Sequence, residues 1–363
     1  MKRLNRMLSL GLMMMLSVGL FACVGPQEGG NEQVSNSPEA TVPTSQPSAI
    51  PTTEGVVATQ TPSAQKPTVV PTQSPTNAPT QSPILDEKAV LYQIPGKYDV
   101  SMAYVIQTSD NKIIVMDGGE ANVDKYNDTR EDFLQLVQSI TGEQVPTIDA
   151  WFITHCHRDH IGVFNELLKG SNPQCKVKNV YYNFPSRDWM LQQNVLSTYE
   201  GFMNALKNCD NAVVVQLGDV IPVGNVSMEV MLVPDPSITS NGVNESSVVF
   251  RATIGKQAVL FLGDLGTASG NRLYREHRSK LQSDVVQMAH HGSYGVSDVI
   301  YRYIDPKVCL WPDVEFMWDE DRNNAGNFTI IKTYNYLQTL NKNIKHYKAS
   351  EGEILKLEFP LSI

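Results

Sequence analysis

The sequence predicts an α+β fold in which two facing β-sheets are covered on their outer sides by helices. Short runs rich in β-branched and aromatic residues recur through residues 85–363, and Gly, Asn, Asp or Pro often separates them, as is typical of strands. Helical periodicity appears in fewer places. A chain with many short strands and fewer amphipathic helices is expected to place the helices as outer layers.

The predicted elements follow one another along the domain. The strands are expected at residues 89–92, 102–106, 112–116, 150–154, 177–182, 212–217, 226–233, 247–254, 258–262, 285–289 and 308–311. The helices are expected at residues 130–140, 160–168, 195–206, 272–281, 297–303 and 328–340. Asp128 and Thr129 supply a cap for the first helix.

Residues 1–23 are predicted to be a lipoprotein signal peptide. A charged start is followed by an apolar stretch that is too short to span a membrane comfortably. This stretch ends in Leu20-Phe21-Ala22-Cys23, which resembles a bacterial lipobox. We therefore expect Cys23 to be lipidated and to become the mature N-terminus. The alternative is a plain signal peptide with an incidental cysteine.

Residues 24–84 are predicted to be a disordered tether, and residues 85–363 the globular domain. The tether is rich in Pro, Thr, Ser and Gln and repeats fragments such as PTQSP. Such a composition buries too little apolar surface to offset the entropy of chain ordering. The expected arrangement is a domain held at the extracellular face of a bacterial membrane by the lipid anchor.

The globular domain is acidic. The chain has 29 Lys and Arg against 38 Asp and Glu, a net charge of −9, and residues 1–84 contribute equal numbers of both signs. An acidic domain disfavours long duplex nucleic acid as a partner. Bound divalent cations would reverse the sign of the charge locally.

Four cysteines fall within the domain, at Cys156, Cys175, Cys209 and Cys309. Their even number leaves one or two disulfides open, without an assignment of partners. Cys156 lies inside a histidine motif, where a free thiol or a packing role is more plausible.

The strongest chemical signal is the run His155-Cys156-His157-Arg158-Asp159-His160, which holds three of the seven histidines of the chain. The spacing H-x-H-x-D-H offers two alternating imidazoles to one divalent ion and an Asp-His pair to a second. Neutral imidazoles and ionised carboxylates are the forms that bind such ions near neutral pH. The run therefore predicts a pair of metal ions.

Further polar residues follow other predicted strands, where rigid elements can hold a site. Asp264 is expected to bridge the two ions, with His155 and His157 on the first ion and Asp159 and His160 on the second. One residue of the pair His290 and His291 would complete the second site. We expect His291 to be the ligand and His290 to contact a substrate oxyanion or a proton.

Several of these residues have simpler interpretations. Asp117 and Asp264 could be ordinary turn residues, and His290 and His291 a surface pair, if the other site residues are disregarded. His277 and His346 have no partners at useful spacing and are read as surface or packing residues. Trp311 and Trp318 could line a substrate groove, although packing is the more frequent role of a tryptophan.

The order and spacing of these residues resemble the metallo-β-lactamase superfamily, and within it the soluble ComEC/Rec2-like domains. The similarity extends over most of residues 88–363 and is carried by residues 115–119, 155–160, 244–250, 261–264, 289–293 and 352–355. The resemblance implies a four-layer αββα sandwich and a dinuclear zinc hydrolase, although some relatives use other metals. It also implies that Asp117 supports the metal-binding loop without binding a metal itself.

One departure from the wider family is informative. The β-lactamase and lactonase relatives place another histidine about twenty residues before the bridging aspartate, whereas this chain has no histidine from Ile161 to Asp264. The ComEC-like group resembles this chain in having an Asn and a Ser there, within residues 244–247. The first metal site is therefore expected to be weaker, completed by water, or only partly filled.

The sequence thus predicts a membrane-anchored extracellular hydrolase that uses two divalent ions. Zinc is the expected metal, with Mn or Fe as alternatives. A metal-bound hydroxide would cleave phosphodiester bonds of a small molecule or polymer, with Asp159, His290 and Asp117 assisting. Two other interpretations stay open: a lactam, lactone or thioester hydrolase on the same fold, and a non-catalytic metal-containing surface protein that binds a partner.

Overall fold

The computed structural model describes residues 87–121, 128–323 and 326–363. The predicted signal peptide, the lipidated Cys23 and the tether lie outside these residues. Among the helices that are described, none combines the length and apolarity that crossing a lipid bilayer requires.

Two mixed β-sheets occupy the centre of the described part of the domain. Its strands are β1 (Ala89–Ile94), β2 (Ala103–Thr108), β3 (Ile113–Asp117), β4 (Thr147–Ile148), β5 (Ala150–Phe152), β6 (Lys176–Tyr182), β7 (Cys209–Val214), β8 (Val220–Val223), β9 (Val226–Leu232), β10 (Val249–Ile254), β11 (Gln257–Phe261), β12 (Val285–Gln287), β13 (Val308–Trp311), β14 (Lys345–Lys348) and β15 (Leu355–Phe359).

Both sheets have the same organisation: the strands on one side of each sheet are antiparallel, and those on the other side are parallel. The first sheet runs β15-β1-β2-β3-β5-β6, and both β4 and β7 pair with β6. Its strands are antiparallel up to the β2–β3 pair and parallel from β3 to β7. The second sheet runs β14-β13-β12-β11-β10-β9-β8 and is parallel from β11 to β14. Parallel neighbours end at the same edge, so residues that follow β3 and β5, or β11 and β12, are brought together.

The helices form the outer layers of the sandwich. They are α1 (Arg130–Thr141), α2 (Arg158–Leu167), α3 (Arg187–Gln192), α4 (Leu196–Ala205), α5 (Gly242–Glu245), α6 (Thr267–His277), α7 (Asp298–Ile304), α8 (Glu315–Arg322) and α9 (Ile330–Leu340). Helices α1, α2 and α4 share a buried cluster with the first sheet, in which the Trp151 ring packs against Phe133 and Phe164 at centroid distances of 5.3 and 4.9 Å. Helices α6 to α9 pack in the same way on the second sheet.

A third apolar cluster fills the space between the sheets. The Phe152 ring lies 5.3 Å from Phe250, and the Tyr104 ring lies 5.4 Å from Phe261, centroid to centroid. Burial of each such side chain contributes about 1.5–3 kcal/mol relative to exposure. Helix, sheet, sheet and helix therefore follow in layers, and the predicted αββα sandwich is confirmed.

Every predicted strand is present, with ends displaced by a few residues at most. The helix predicted at residues 272–281 is wrong in its bounds, because α6 runs from Thr267 to His277. Its first turn is small and polar, and it is held by the Glu245 carboxylate, which accepts hydrogen bonds from the backbone N–H groups of Ala268 and Ser269. A cap supplied by another segment leaves no mark in the local periodicity.

Residues whose roles were left open in the sequence take packing positions. Trp311 and Trp318 are buried in the second outer cluster, which is the packing role. His346 Nδ1 accepts a hydrogen bond from Trp311 Nε1 at 3.1 Å, and burial together with the nearby Lys348 charge lowers the His346 pKa to about 4. The four cysteines of the domain are free thiols, and all except the half-buried Cys209 are buried.

Candidate metal centre

The predicted site residues lie at one edge of the sandwich, where strands of both sheets end. Asp117 is the last residue of β3, and the histidine motif begins three residues after β5. Asp264 and the His290-His291 pair follow β11 and β12 at the corresponding ends of the second sheet. The two edges are joined through the backbone, because Val248 N donates to Thr154 O at 2.9 Å. Residues far apart in sequence therefore meet in one place.

Three of the predicted ligands form a first group. His155, His157 and Asp264 each offer an atom within 4.8 Å of the others. His155 Nε2 lies 3.1 Å from His157 Nδ1 and 3.8 Å from Asp264 Oδ2. His155 and Asp264 are buried and His157 is half-buried.

The other predicted ligands form a second group, in which Asp264 takes part again. Asp159, His160, Asp264 and His291 converge within the same distance limit. His291 Nε2 lies 3.1 Å from Asp159 Oδ2 and 3.4 Å from Asp264 Oδ2. His160 Nε2 lies 3.2 Å from Asp264 Oδ1. Asp264 is thus shared by both groups, as a bridging ligand requires.

Two buried atoms test whether a cation fits this arrangement. His160 Nε2 and Asp264 Oδ1 face each other, yet neither makes a hydrogen bond within the described part of the chain. Buried polar atoms without partners are costly, whereas both atoms are good donors of electron pairs to a divalent ion. The residues present therefore fit a pair of divalent metals.

The imidazole rings of two ligands are oriented by hydrogen bonds at Nδ1, the ring nitrogen that does not point into the site. His160 Nδ1 donates to Asp117 Oδ2 at 2.7 Å, and His291 Nδ1 donates to the carbonyl oxygen of Pro312 at 2.7 Å. A proton held on Nδ1 leaves Nε2 with a free electron pair. Asp117 itself is held by Thr154, whose backbone N–H and hydroxyl both donate to its carboxylate at 2.8 Å. Asp117 therefore supports the ligands and belongs to neither group.

His155 is oriented by two hydroxyl groups. Its Nδ1 lies 3.2 Å from Thr154 Oγ1 and 3.3 Å from Ser247 Oγ. Since the Thr154 hydroxyl proton is donated to Asp117, its oxygen accepts from His155 Nδ1, and Nε2 is again free. Ser247 Oγ also accepts from the backbone N–H of Asp264 at 3.1 Å, so one side chain positions ligands from both sheets.

The electrostatics differ between the groups. Burial lowers the pKa of His160 and His291, but the carboxylates of Asp264 and Asp159 outweigh it, raising the His291 pKa to about 10 and the His160 pKa well above its usual value. Conversely, the charges of His160 and His291 overcome burial and hold the pKa of Asp264 well below its usual range. The field that favours a proton on these rings also favours a divalent cation between them.

The first group carries less negative charge. Burial lowers the pKa of His155 and His157. The charge of His160 lowers the His155 pKa further, whereas the carboxylates of Asp159 and Asp264 oppose the lowering at His157 without cancelling it. Among the described residues this group has three His or Asp ligands, against four in the second group. The asymmetry agrees with the expectation of a leaner first site.

His290 lies outside both groups, whereas His291 lies inside the second. The His290 ring is half-buried, and its Nε2 lies 3.2 Å from Nδ2 of Asn244. Asn244 is buried and stands in the segment where the additional histidine of other relatives was expected. The structure therefore places the two adjacent histidines differently, and the ligand role predicted for His291 stays a prediction.

Three supporting groups were missed in the sequence. Thr154 precedes the histidine motif and Ser247 lies within residues 244–250, but nothing in their spacing marks them as partners of His155. The Pro312 carbonyl is a backbone atom and has no side-chain signal at all.

Comparison with known proteins gives a family and a relative. A family model described as the metallo-beta-lactamase superfamily matches residues 97–309. ComE operon protein 3 of Bacillus subtilis (strain 168) is 26% identical over 183 residues, which cover 48% of this chain and 21% of that protein. The chain thus spans about a fifth of the length of this relative.

Three solved structures are similar at low identity. The metallo-beta-lactamase fold protein YhfI from Bacillus subtilis is 13% identical with a TM-score of 0.43, covering 74% of this chain and 99% of its own. A diphosphatase from the PhnP family is 15% identical with a TM-score of 0.41 and coverages of 75% and 98%. CmlA, a diiron β-hydroxylase from Streptomyces venezuelae, is 12% identical with a TM-score of 0.45 and coverages of 76% and 54%. None of these likenesses bears on the activity of the chain.

Proposed function

The chain belongs to the metallo-β-lactamase superfamily, with a ComEC-like relationship, and from this premise we propose that it is a membrane-anchored extracellular hydrolase of phosphodiester bonds. The observation that carries the hydrolase is the sharing of Asp264 between two groups of ligands. Two divalent ions bound there would supply a water nucleophile that is deprotonated at neutral pH and would polarise the scissile bond. Zinc is the proposed metal, with Mn or Fe as alternatives.

Each ligand has a defined part in this proposal. His155 and His157 would hold the first ion and Asp159, His160 and His291 the second, while Asp264, which belongs to both groups, would be a ligand of each. Asp117 keeps the proton of His160 on Nδ1 and so keeps Nε2 available. His290, which is outside both groups, remains free to contact the substrate.

A phosphodiester is favoured because the histidine motif itself contains an exposed cation. Arg158 lies between two ligands in the chain, and its side chain is 57% exposed. Its Nε lies 2.9 and 3.1 Å from the two carboxylate oxygens of Glu120, a largely buried residue that fixes the base of the guanidinium group. An arginine held in this way suits an anionic substrate such as a phosphodiester better than a neutral lactam.

The remaining parts of the proposal rest on the sequence. The net charge of −9 favours a short or single-stranded phosphodiester, or one within a surface polymer, over long duplex DNA. Lipidation at Cys23 would hold the domain at the outer face of the membrane, on the tether of residues 24–84.

Substrate class is tested with the full chain loaded separately with Zn²⁺, Mn²⁺ and Fe²⁺. We expect hydrolysis of a bis-aryl phosphate and little turnover of a cephalosporin, a lactone or a thioester. Asp264→Ala should abolish the activity, whereas Asp210→Ala, on the exposed edge strand β7, should leave it unchanged. Preferred turnover of the cephalosporin, lactone or thioester would refute the phosphodiester assignment. Inactivity of every metal-loaded form on the whole panel would favour a binding protein.

Metal content tests the site independently of turnover. Metal analysis of the purified chain should give two ions per molecule, with the less tightly held ion lost first during dialysis against a chelator. Asp264→Ala should lose both ions, because its carboxylate belongs to both groups. One ion per chain in the parent protein would contradict the dinuclear proposal.

A further inference from the structure

Asn244 makes two contacts beside the metal groups. Its side chain is 5% exposed. Nδ2 donates to Asn241 Oδ1 at 3.0 Å and lies 3.2 Å from His290 Nε2. An amide nitrogen donates and does not accept, so His290 Nε2 accepts this hydrogen bond. In this orientation of the amide, Asn244 makes Nε2 the unprotonated ring nitrogen of His290, while its own Oδ1 is buried without a hydrogen-bond partner among the described residues.

A His290 ring that accepts a hydrogen bond at Nε2 carries its proton on Nδ1. This atom is buried and makes no hydrogen bond to any residue in the described ranges. A buried N–H group without a partner is rare in folded proteins and generally points to an acceptor that is a water, an ion or a ligand. His290 thus presents a hydrogen-bond donor that needs an acceptor.

The His290 ring lies beside the metal groups. The rings of His290 and His291 are 6.1 Å apart, centroid to centroid, and the backbone N–H of His290 donates to the carbonyl oxygen of Gly263, the neighbour of Asp264, at 3.1 Å. His290 also has a φ of 51°, in the left-handed region that residues other than glycine seldom adopt. Such strained backbone persists where the surrounding structure imposes it, as at functional sites.

We infer that Asn244 is a positioning residue that holds His290 in its Nδ1–H form, and that this N–H donates to a non-bridging oxygen of the phosphodiester substrate. The inference rests on the proposed function. Negative charge grows on such an oxygen during attack, and a donor already oriented toward it stabilises the transition state more than the ground state. β-Lactamase and lactonase relatives place a metal-binding histidine in the segment that contains Asn244. In this chain, Asn244 instead orients a residue that contacts the substrate.

The form of His290 is measured directly by NMR. The full chain labelled with ¹⁵N-histidine and loaded with Zn²⁺ should show His290 with a protonated Nδ1 and an unprotonated Nε2. Asn244→Ala removes the donor and should move the proton of His290 toward Nε2. Asn179→Ala, which removes a side-chain amide from β6, should leave the His290 signals unchanged. A proton on Nε2 in the parent chain, or a His290 spectrum unaffected by Asn244→Ala, would overturn the inference.

Kinetics test the role of the donor. Asn244→Ala and His290→Ala should each lower kcat/KM for a bis-aryl phosphate by about 10²-fold, the usual effect of removing one oriented donor. The double variant should lose little more, because the two residues act as one unit. Independent, multiplying losses, or a loss of bound zinc in Asn244→Ala, would contradict the role. If the parent chain hydrolyses no phosphodiester, the proposed function fails, while the NMR result still decides what Asn244 does to His290.

Discussion

Asp117 is a site residue that contributes without belonging to either ligand group. It lies at the end of β3 with a φ of 55°, is fully buried, and accepts hydrogen bonds from His160 Nδ1 and from both donors of Thr154. Burial raises the Asp117 pKa, and the charge of His160 opposes this rise. The hydrogen bonds from His160 and Thr154 therefore stabilise the buried Asp117 carboxylate, and the carboxylate in turn orients His160.

Replacing Asp117 by Asn should weaken zinc binding without abolishing the fold. The amide is a poorer acceptor for His160 Nδ1–H, and loss of such a partner lowers metal affinity by about 10- to 100-fold. Competition with a chromogenic chelator measures this change. The exposed carboxylate of Asp210, replaced in the same way, serves as the control and should leave the affinity unaltered. Equal zinc affinity in Asp117→Asn and the parent would show that His160 is oriented by other contacts.

Gly263 illustrates a steric requirement at the residue scale. Its φ is +57°, and a Cβ atom at this position would lie 2.9 Å from both the Thr154 Cβ and the Ser247 Oγ. Thr154 and Ser247 are the residues that orient His155. A methyl group there would therefore disturb the ligands of both sheets.

Gly263→Ala is predicted to be more destabilising than an alanine in the same backbone conformation elsewhere. Gly218 has a φ of +86° with nothing within 4 Å of its Cβ position, so Gly218→Ala isolates the conformational cost, which is about 1–2 kcal/mol. Overpacking should add about 1–3 kcal/mol in Gly263→Ala. Urea denaturation of both variants measures the difference. Equal free energies of unfolding would show that the neighbours of Gly263 yield without cost.

At the scale of elements, helices α5 and α6 stabilise each other. Their contacts also restrain the loop between β11 and α6, which contains Asp264. Glu245, at the end of the short helix α5, accepts from the backbone of Ala268 at 3.0 Å and of Ser269 at 2.7 Å, and its own carbonyl accepts from Ser269 Oγ at 2.8 Å. A carboxylate at a helix N-terminus also interacts favourably with the helix dipole. Asp264 is three residues before this helix, so the cap restrains a metal ligand.

Removal of the cap in Glu245→Ala should lower the free energy of unfolding by about 1–3 kcal/mol, because the N–H groups of Ala268 and of the buried Ser269 lose their acceptor. The same change should weaken zinc binding through the freed Asp264 loop. Chemical denaturation and chelator competition measure the two effects. Glu353→Ala, at an exposed position, is the matched control. A stability loss with unaltered zinc affinity would mean that α6 does not restrain Asp264.

At the scale of the whole molecule, the site joins the two sheets. His155, His157, Asp159 and His160 follow a strand of the first sheet, whereas Asp264 and His291 follow strands of the second. An ion held by ligands from both sheets binds the folded state and not the unfolded one. Metal binding should therefore stabilise the entire sandwich.

Zinc should raise the melting temperature of the parent chain and not of Asp264→Ala. At free zinc of a hundred times Kd the expected gain is about 2.7 kcal/mol for one site. Differential scanning calorimetry with zinc or with EDTA measures it. If zinc raised the melting temperature of Asp264→Ala as much as that of the parent, the stabilising ion would bind at a site that does not include Asp264.

Zinc affinity should increase with pH over the range from 6 to 8. The pKa of His160 and the pKa of His291, about 10 for the latter, lie above their usual values, so both rings carry protons that must leave before Nε2 binds a metal. Lower pH favours the protonated rings and weakens binding; higher pH relieves this competition. Apparent Kd values at pH 6, 7 and 8 test the sign, and an affinity that falls as pH rises would contradict it.

By itself, the sequence determined the layered fold and the metal motif, and it predicted separate roles for His290 and His291. The periodicity that predicts strands and helices is a local property of the sequence. The order of residues along the chain then shows which polar residues directly follow each predicted strand. It also determined, through spacing, that Asp264 stands between the two histidine motifs.

Only the tertiary structure decided which groups form hydrogen bonds with the ligand side chains and so orient them. The pairing of β15 with β1, the Glu245 cap on α6 and the contacts of Ser247 and the Pro312 carbonyl with His155 and His291 all join segments distant in sequence. Local propensity carries no information about such contacts, because they form only when distant segments of the chain fold together. The same is true of Asn244, whose meeting with His290 decides where the proton of that ring lies.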